Sequence, residues 1–435
     1  MKTLLKLRRL VFVLLLLCLA GAGAAFLQQA TPSELLKISD DMVQLTARLR
    51  GLAPKAPIAK EVGTRQDIAK YLNDTVRKNY DEGELQREGR LLQKLGLIPA
   101  DMNYVEFELK LLTEQVGGYY DPNVKKFFIA GWLPAPDQKP VMVHELTHAL
   151  QDQYFDVNTI MEKDRKAHDD DRTLAHQALM EGDGMAVMLN FLLEPSGRNF
   201  AQLPDLVFVM RSQFYSMDTQ FEVFKSAPMF LKESLLFPYG YGAAFLQKVW
   251  ARDPSWSAVD KIYSDLPAST EQIIHPEKYL GPRDNPKAVT LEDPSPFLGD
   301  KWKRTYSNVL GEFCTFLLLK QYLIEERAKR AAAGWSGDQI MLVEDGTHDA
   351  VFAATEWDTP EDADEFYSAL ADWFQLRYPK SKKIDSEAGF SLAQGGEYSA
   401  VEKKESSVRF VLGLPESEAS KLRHYWSQEK AKTSN

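Results

Sequence analysis

Five consecutive residues, His144-Glu145-Leu146-Thr147-His148, constrain this chain more than any other feature. On an α-helix, histidines four apart lie one above the other, so the spacing asks for a helix and lets both imidazoles converge on one ion. Glu145 projects about 100° further round the axis, where its carboxylate can hold a water at the ion without ligating it. The chain has only seven histidines, so the pattern does not arise from histidine abundance. Pro136 and Pro140 punctuate the entry, Asp137 is the candidate N-cap, and Val141, Val143, Leu146 and Leu150 make the helix apolar enough to be buried. The pattern implies a zinc-binding helix of the hydrolytic type. The competing implication is a buried helix whose histidines only hydrogen-bond to neighbours.

A catalytic zinc takes three protein ligands and leaves one position open. Glu181, in Ala178-Leu-Met-Glu-Gly-Asp-Gly184, follows a second helical pattern running from about Thr173 and is the leading third ligand. His168 lies in the charged run Lys163 to Arg172, which reads as a solvated loop. Asp152 is one turn further along the same helix, from where closing a tetrahedron is difficult. His176 is the serious rival, and Asp183 also competes.

The segments His144 to Gln153 and Ala178 to Asp183 resemble the gluzincin class of zinc metallopeptidases. More narrowly, the chain resembles a group of exported bacterial and archaeal zincin-like proteins. That likeness continues through Gly118-Tyr-Tyr-Asp-Pro122, Phe237-Pro-Tyr239, Ser269 to Tyr279, Gly334-Trp-Ser-Gly-Asp338 and Trp357-Asp-Thr359, and so covers most of the chain after its first residues. It implies a metallopeptidase-like fold with His144, His148 and Glu181 as ligands of one Zn²⁺ and Glu145 as general base; it implies no substrate. Thermolysin-like enzymes place an aspartate four residues after the ligand glutamate to orient the first histidine. Here that position is Met185, and Asp183 is the candidate replacement.

The first 25 residues read as a secretory signal: Met1 to Arg9 is basic, Leu10 to Ala20 is apolar, and Ala22-Gly-Ala24 offers a cleavage site. The alternative is an uncleaved segment that anchors the chain to a membrane. Either way the expected location is outside the cytoplasm, periplasmic or extracellular. Cys18 has leucines rather than a small residue before it, unlike a lipoprotein cysteine. Beyond the signal only Cys314 remains, inside the apolar run Phe313 to Leu319, so it reads as a buried small hydrophobe and the chain holds together by core packing.

At 435 residues with 44% hydrophobic content the chain can bury a large core spread over two or three lobes. Acidic residues outnumber basic ones, 62 to 52, which argues against a nucleic-acid partner.

Residues 26–100 read as a helical region, with an amphipathic helix at Thr31 to Arg50, a proline-bearing linker at Leu52 to Val62 and charged helices from Thr64 to Leu97. It reads as a scaffold, with a pro-region as the alternative. Residues 101–285 form the expected zincin-like domain. In it, Gln115 to Ile129 carries a hairpin signal around Asp121-Pro122-Asn123, placing a small β-hairpin just before the metal helix. Such a strand either lays out an extended peptide or is purely structural. Phe237 to Phe245 combines Pro, Gly and two tyrosines, which predicts a bend. Tyr239, Tyr241 and His275 are the candidates for stabilising an oxyanion, against ordinary roles as a buried hydroxyl or a helix cap.

Ser269 or Thr270 caps a further helix. Asp284-Asn-Pro286 and Asp293-Pro294 mark the lobe boundary. Residues 286–435 read as a mixed α/β lobe: helix at Tyr306 to Ala333, strands at Gln339 to Glu344 and His348 to Glu356, helix at Thr359 to Arg377, two strands within Phe390 to Leu414 and a polar helix at Glu416 to Lys430. The expected fold is therefore α+β and predominantly helical. The expected function is exported, zinc-dependent hydrolysis of a peptide or protein substrate; the alternative is a zincin-fold binding or envelope-assembly factor with little turnover.

Overall fold

The computed structural model describes residues 12–15, 30–79, 82–216, 218 and 221–432. Apart from a short strand at Phe12–Leu15, the expected secretory signal, Cys18 included, lies outside the described residues. Among the described residues no helix is long and apolar enough to cross a membrane. The fold is α+β and predominantly helical.

The amino-terminal helix, Pro32–Arg50, starts at a capping box in which the Thr31 side chain accepts from the Glu34 N–H and Glu34 reaches back to the Thr31 N–H. It stops at Gly51, whose φ of 75° an L side chain rarely adopts. The proline-bearing stretch after it is more than a linker, because Ala59–Gly63 is a strand. It pairs in parallel with Lys126–Ala130, which pairs antiparallel with Val116–Asp121. Phe12–Leu15 lies antiparallel on the far side of Val116–Asp121. The predicted hairpin is thus the centre of a four-stranded sheet. Its turn is fixed by Asp121, whose Oδ1 accepts from the Asn123 N–H at 2.7 Å.

The motif helix, Ala135–Phe155, follows at once. Its N-cap is Pro134, so Asp137 falls in the first turn and is not the cap. Pro140 is tolerated because it sits near the helix start, where few backbone bonds are lost. Gln138 donates to the Ala130 carbonyl, tying the helix to the sheet. The helix ends at Asp156, which adopts φ 51° and caps the next helix, Val157–Ala167. The charged run Lys163 to Arg172 is therefore not a solvated loop. It closes one helix and opens the ligand helix, Asp170–Leu193, whose cap Asp169 accepts from the Arg172 N–H at 2.9 Å, three residues before the expected start.

Met229–Arg252 is one continuous helix through Pro238, where a bend was expected. Its residues from Phe230 to Phe245 are almost all buried, and this packing outweighs the roughly 3 kcal/mol that an interior proline costs. It crosses the ligand helix at backbone contact. A Cβ on Gly242 would lie 1.9 Å from the Ala178 carbonyl oxygen, and one on Gly182 2.3 Å from the Gly242 carbonyl carbon.

The remaining residues build a seven-stranded antiparallel sheet in the order Lys303–Asn308, Trp335–Glu344, Asp349–Trp357, Ser407–Pro415, Glu397–Lys404, Gly389–Gln394, Lys382–Asp385. Three strands thus occupy the region read as two. The helix expected across Tyr306 to Ala333 is instead a strand followed by two helices, Gly311–Lys320 and Glu325–Ala332. Pro360–Arg377 starts at a Thr359–Asp362 capping box, as its sequence indicated. A single apolar cluster runs from Leu35 through Leu91, Leu146, Leu179 and Phe237 to Trp335 and Trp373. Buried polar side chains tie these pieces together: the Asp170 N–H at the start of the Asp170–Leu193 helix donates to Asn308 Oδ1, on the edge strand, at 3.1 Å. Asp338 accepts from the Leu310 and Gly311 N–H groups at 2.8 Å each, and Asp171 accepts from the Thr270 N–H and hydroxyl.

Candidate metal centre

The motif helix puts His144 and His148 on one face, and the ligand helix brings Glu181 across to meet them. His144 Nε2 lies 2.9 Å from Glu181 Oε2 and 2.9 Å from His148 Nε2, and the third side, His148 Nε2 to Glu181 Oε2, is 3.3 Å. The two imidazole rings stand nearly perpendicular, at 81°. Both histidines are fully buried and Glu181 is 6% exposed.

These residues fit a metal ion. A tetrahedral site with bonds of 2.0–2.1 Å separates neighbouring donor atoms by about 3.3 Å, close to the sides observed. Two imidazole nitrogens and a carboxylate oxygen, all buried and converging, are a donor set that needs a positive charge between them. Burial lowers the pKa of His144 against the opposing pull of Glu181, so its ring is neutral, the form that ligates. Burial alone would raise the pKa of Glu181, but the two histidines outweigh it and hold the carboxyl down to about 2, ionised.

Glu145 follows His144 on the motif helix, about 100° further round the axis. Its Oε2 accepts from the backbone N–H of Tyr120 at 2.7 Å, so the central strand of the small sheet holds the acid in place. The Tyr120 phenol donates to Asp152 Oδ2 at 2.8 Å, which ties up that rival ligand. His176 is also committed elsewhere, with Nδ1 2.8 Å from Asp164 Oδ2. His168 closes the Val157–Ala167 helix with φ 53°.

The three oxyanion candidates are placed differently. The ring of Tyr239, on Met229–Arg252, lies 6.1 Å from that of His144. Tyr241 stacks on Phe237 at 4.8 Å, and burial raises its pKa to about 12. His275 is the C-cap of Thr270–Ile274 and binds Glu312 Oε1 through Nε2 at 2.9 Å. Of the three, Tyr239 has its ring beside that of His144, Tyr241 packs on Phe237, and His275 pairs with Glu312.

The expected replacement for the missing orienting acid directs its hydrogen bonds away from His144. Asp183 is fully buried, but its Oδ1 accepts from Arg50 Nε at 2.7 Å and its Oδ2 from the Tyr263 hydroxyl at 3.0 Å. Among the described residues His144 Nδ1 has no hydrogen-bond partner. It packs against Gly184, where a Cβ would lie 2.9 Å from Nδ1 and 2.8 Å from Cε1. His148 is held by Gln151, whose Oε1 is 2.9 Å from Nδ1 and whose Nε2 donates to the Met180 carbonyl at 3.0 Å. The sequence carried a signal for Gln151, three residues after His148 on the same helical face. No local signal marks Gly184, Arg50 or Tyr263.

Comparison with known proteins adds little. A family model described as a domain of unknown function (DUF8575) matches residues 300–423, within the carboxy-terminal sheet and outside the metal centre. No curated protein matches the chain. Among solved structures, one from Chloroflexus aurantiacus described as a "putative hydrolase with a novel fold" is similar at 17% identity, covering 59% of this chain and 91% of that one, with a TM-score of 0.36. A likeness that low carries no inference about this chain.

Proposed function

We propose that this chain is an exported zinc-dependent peptidase. The observation that carries the reading is the closed triangle of His144 Nε2, His148 Nε2 and Glu181 Oε2 with Glu145 directly beside the first ligand in sequence. A zinc ion held by these three residues would supply Lewis acidity to a scissile carbonyl and to an attacking water. Glu145 takes the proton from that water as its oxygen adds to the carbonyl carbon, then passes the proton to the amine nitrogen as the C–N bond breaks. The Tyr120 N–H keeps the carboxylate in one orientation through these transfers. Tyr239 is the favoured donor to the oxyanion. The basic and apolar start of the chain supports export.

A second reading, a zincin-fold binding or envelope-assembly factor with little turnover, is favoured by one observation: His144, Glu145 and His148 are all fully buried. One experiment separates the two. Metal content by mass spectrometry and cleavage of a mixed peptide library are measured for the wild type, His148→Ala and Glu145→Gln. The peptidase reading expects near-stoichiometric zinc in the wild type and in Glu145→Gln, none in His148→Ala, and cleavage by the wild type alone. Zinc without cleavage selects the binding factor. No zinc defeats both.

A further inference from the structure

We infer that Gln151 and Gly184 are the positioning residues of this metal centre, Gln151 by hydrogen bond and Gly184 by direct contact, in place of an acid behind His144. The inference rests on the metal-site reading above.

The argument starts at an atom with no choice. The Met180 carbonyl oxygen can only accept, so the Gln151 group 3.0 Å from it must be the amide NH₂. That fixes the Gln151 amide and turns its Oε1 toward His148 Nδ1, 2.9 Å away. Oε1 can only accept as well, so Nδ1 carries the proton. The Nε2 lone pair of His148 is then presented to Glu181 and His144. Met180 immediately precedes the ligand Glu181 in sequence. One side chain therefore sets the tautomer of one ligand and fixes the backbone beside another, joining the two helices that carry the site.

His144 is treated in the opposite way. With its Nε2 lone pair directed at a metal ion, the proton must sit on Nδ1, and Nδ1 has no acceptor among the described residues. The acid nearest in sequence to Glu181, Asp183, is held by Arg50 and Tyr263. What stops the ring from turning is the Gly184 backbone, so close that a methyl group would stand 2.8 Å from Cε1. A steric slot does the work that a hydrogen bond does elsewhere, which explains why position 184 has no side chain.

The test uses the full-length protein labelled with ¹⁵N-histidine. Ring-nitrogen NMR shifts report each tautomer, and chelator competition gives the zinc dissociation constant. Gln151→Leu is expected to lose the Nδ1–H state of His148 and to weaken zinc binding about 10 to 100-fold. Gln151→Glu keeps an acceptor for His148 but loses the bond to Met180 and adds a carboxylate, so it should retain that tautomer. Gly184→Ala should weaken zinc binding by a similar factor while the His148 signal is unchanged, with a thermal melt showing that it folds. Wild-type affinity and an unaltered His148 tautomer in Gln151→Leu overturn the role of Gln151. Unchanged affinity in Gly184→Ala overturns the role of the slot. If the wild type binds no zinc, the metal reading fails on its own, and the apo tautomer still decides: loss of His148 Nδ1–H in Gln151→Leu upholds the orienting role, and its persistence removes it.

Discussion

Arg50 Nε meets Asp183 Oδ1 at 2.7 Å with both side chains fully buried, so the last residue of the amino-terminal helix neutralises a carboxylate two positions from Glu181. The guanidinium also reaches Asp260 and lies 4.6 Å above the Trp256 ring. Removing the segment that supplies this charge would leave Asp183 buried without its charged partner. Arg50→Met should destabilise the protein by about 3–5 kcal/mol, read by urea denaturation. Arg50→Met combined with Asp183→Leu should recover part of that loss. A single-variant cost under about 1 kcal/mol would show the pair to be incidental.

Tyr239 can be separated from Tyr241 and His275 by kinetics. Tyr239→Phe should lower kcat by about 100 to 1,000-fold if its hydroxyl serves the oxyanion, with zinc content unchanged. Tyr241→Phe and His275→Gln, the latter removing a side chain already bound to Glu312, should keep kcat near the wild type. Equal losses in all three would remove Tyr239 from its special place.

His144 gives the protein a pH signature. Burial lowers its pKa below the ordinary 6.5, so the unfolded state takes up a proton at a higher pH than the folded state. The stability this contributes is complete above pH 6.5 and is lost as the pH falls through the folded value. Apo protein should therefore weaken progressively below pH 6.5. Denaturation of the apo wild type and of His144→Gln at a series of pH values tests this. Parallel curves for the two proteins would contradict it.

Gly242 lets two helices touch. Gly242→Ala would drive a methyl group into the Ala178 carbonyl, and the backbones must separate to admit it. The expected cost is at least about 2 kcal/mol, with reduced zinc retention because Ala178 lies one turn before Glu181. A melting temperature within a degree of the wild type would mean that the crossing has slack.

Much of this was legible in local pattern. The His-Glu-x-x-His spacing gave the motif helix, Asp121-Pro122-Asn123 the hairpin, and Thr359-Pro360 a helix start, because each is decided within one or two turns of chain. Pro238 misled because local propensity lost to burial. Asp183 misled for a different reason: its claimant, Arg50, is 133 residues away, and no periodicity records a pairing at that distance. The backbone contact at Gly182 and Gly242 was hidden for the same reason, since a glycine in a helix reads as a weakness until the neighbouring helix is seen.

The strand Ala59–Gly63 runs parallel beside Lys126–Ala130. A fragment cut to begin at residue 101, the expected start of the zincin-like domain, would strip that strand away. Lys126–Ala130 would then present open N–H and C=O groups along its apolar Phe127-Phe128-Ile129 run, a template for pairing with another molecule. Such a fragment is expected to aggregate, so a soluble fragment that keeps this edge covered must begin before Ala59.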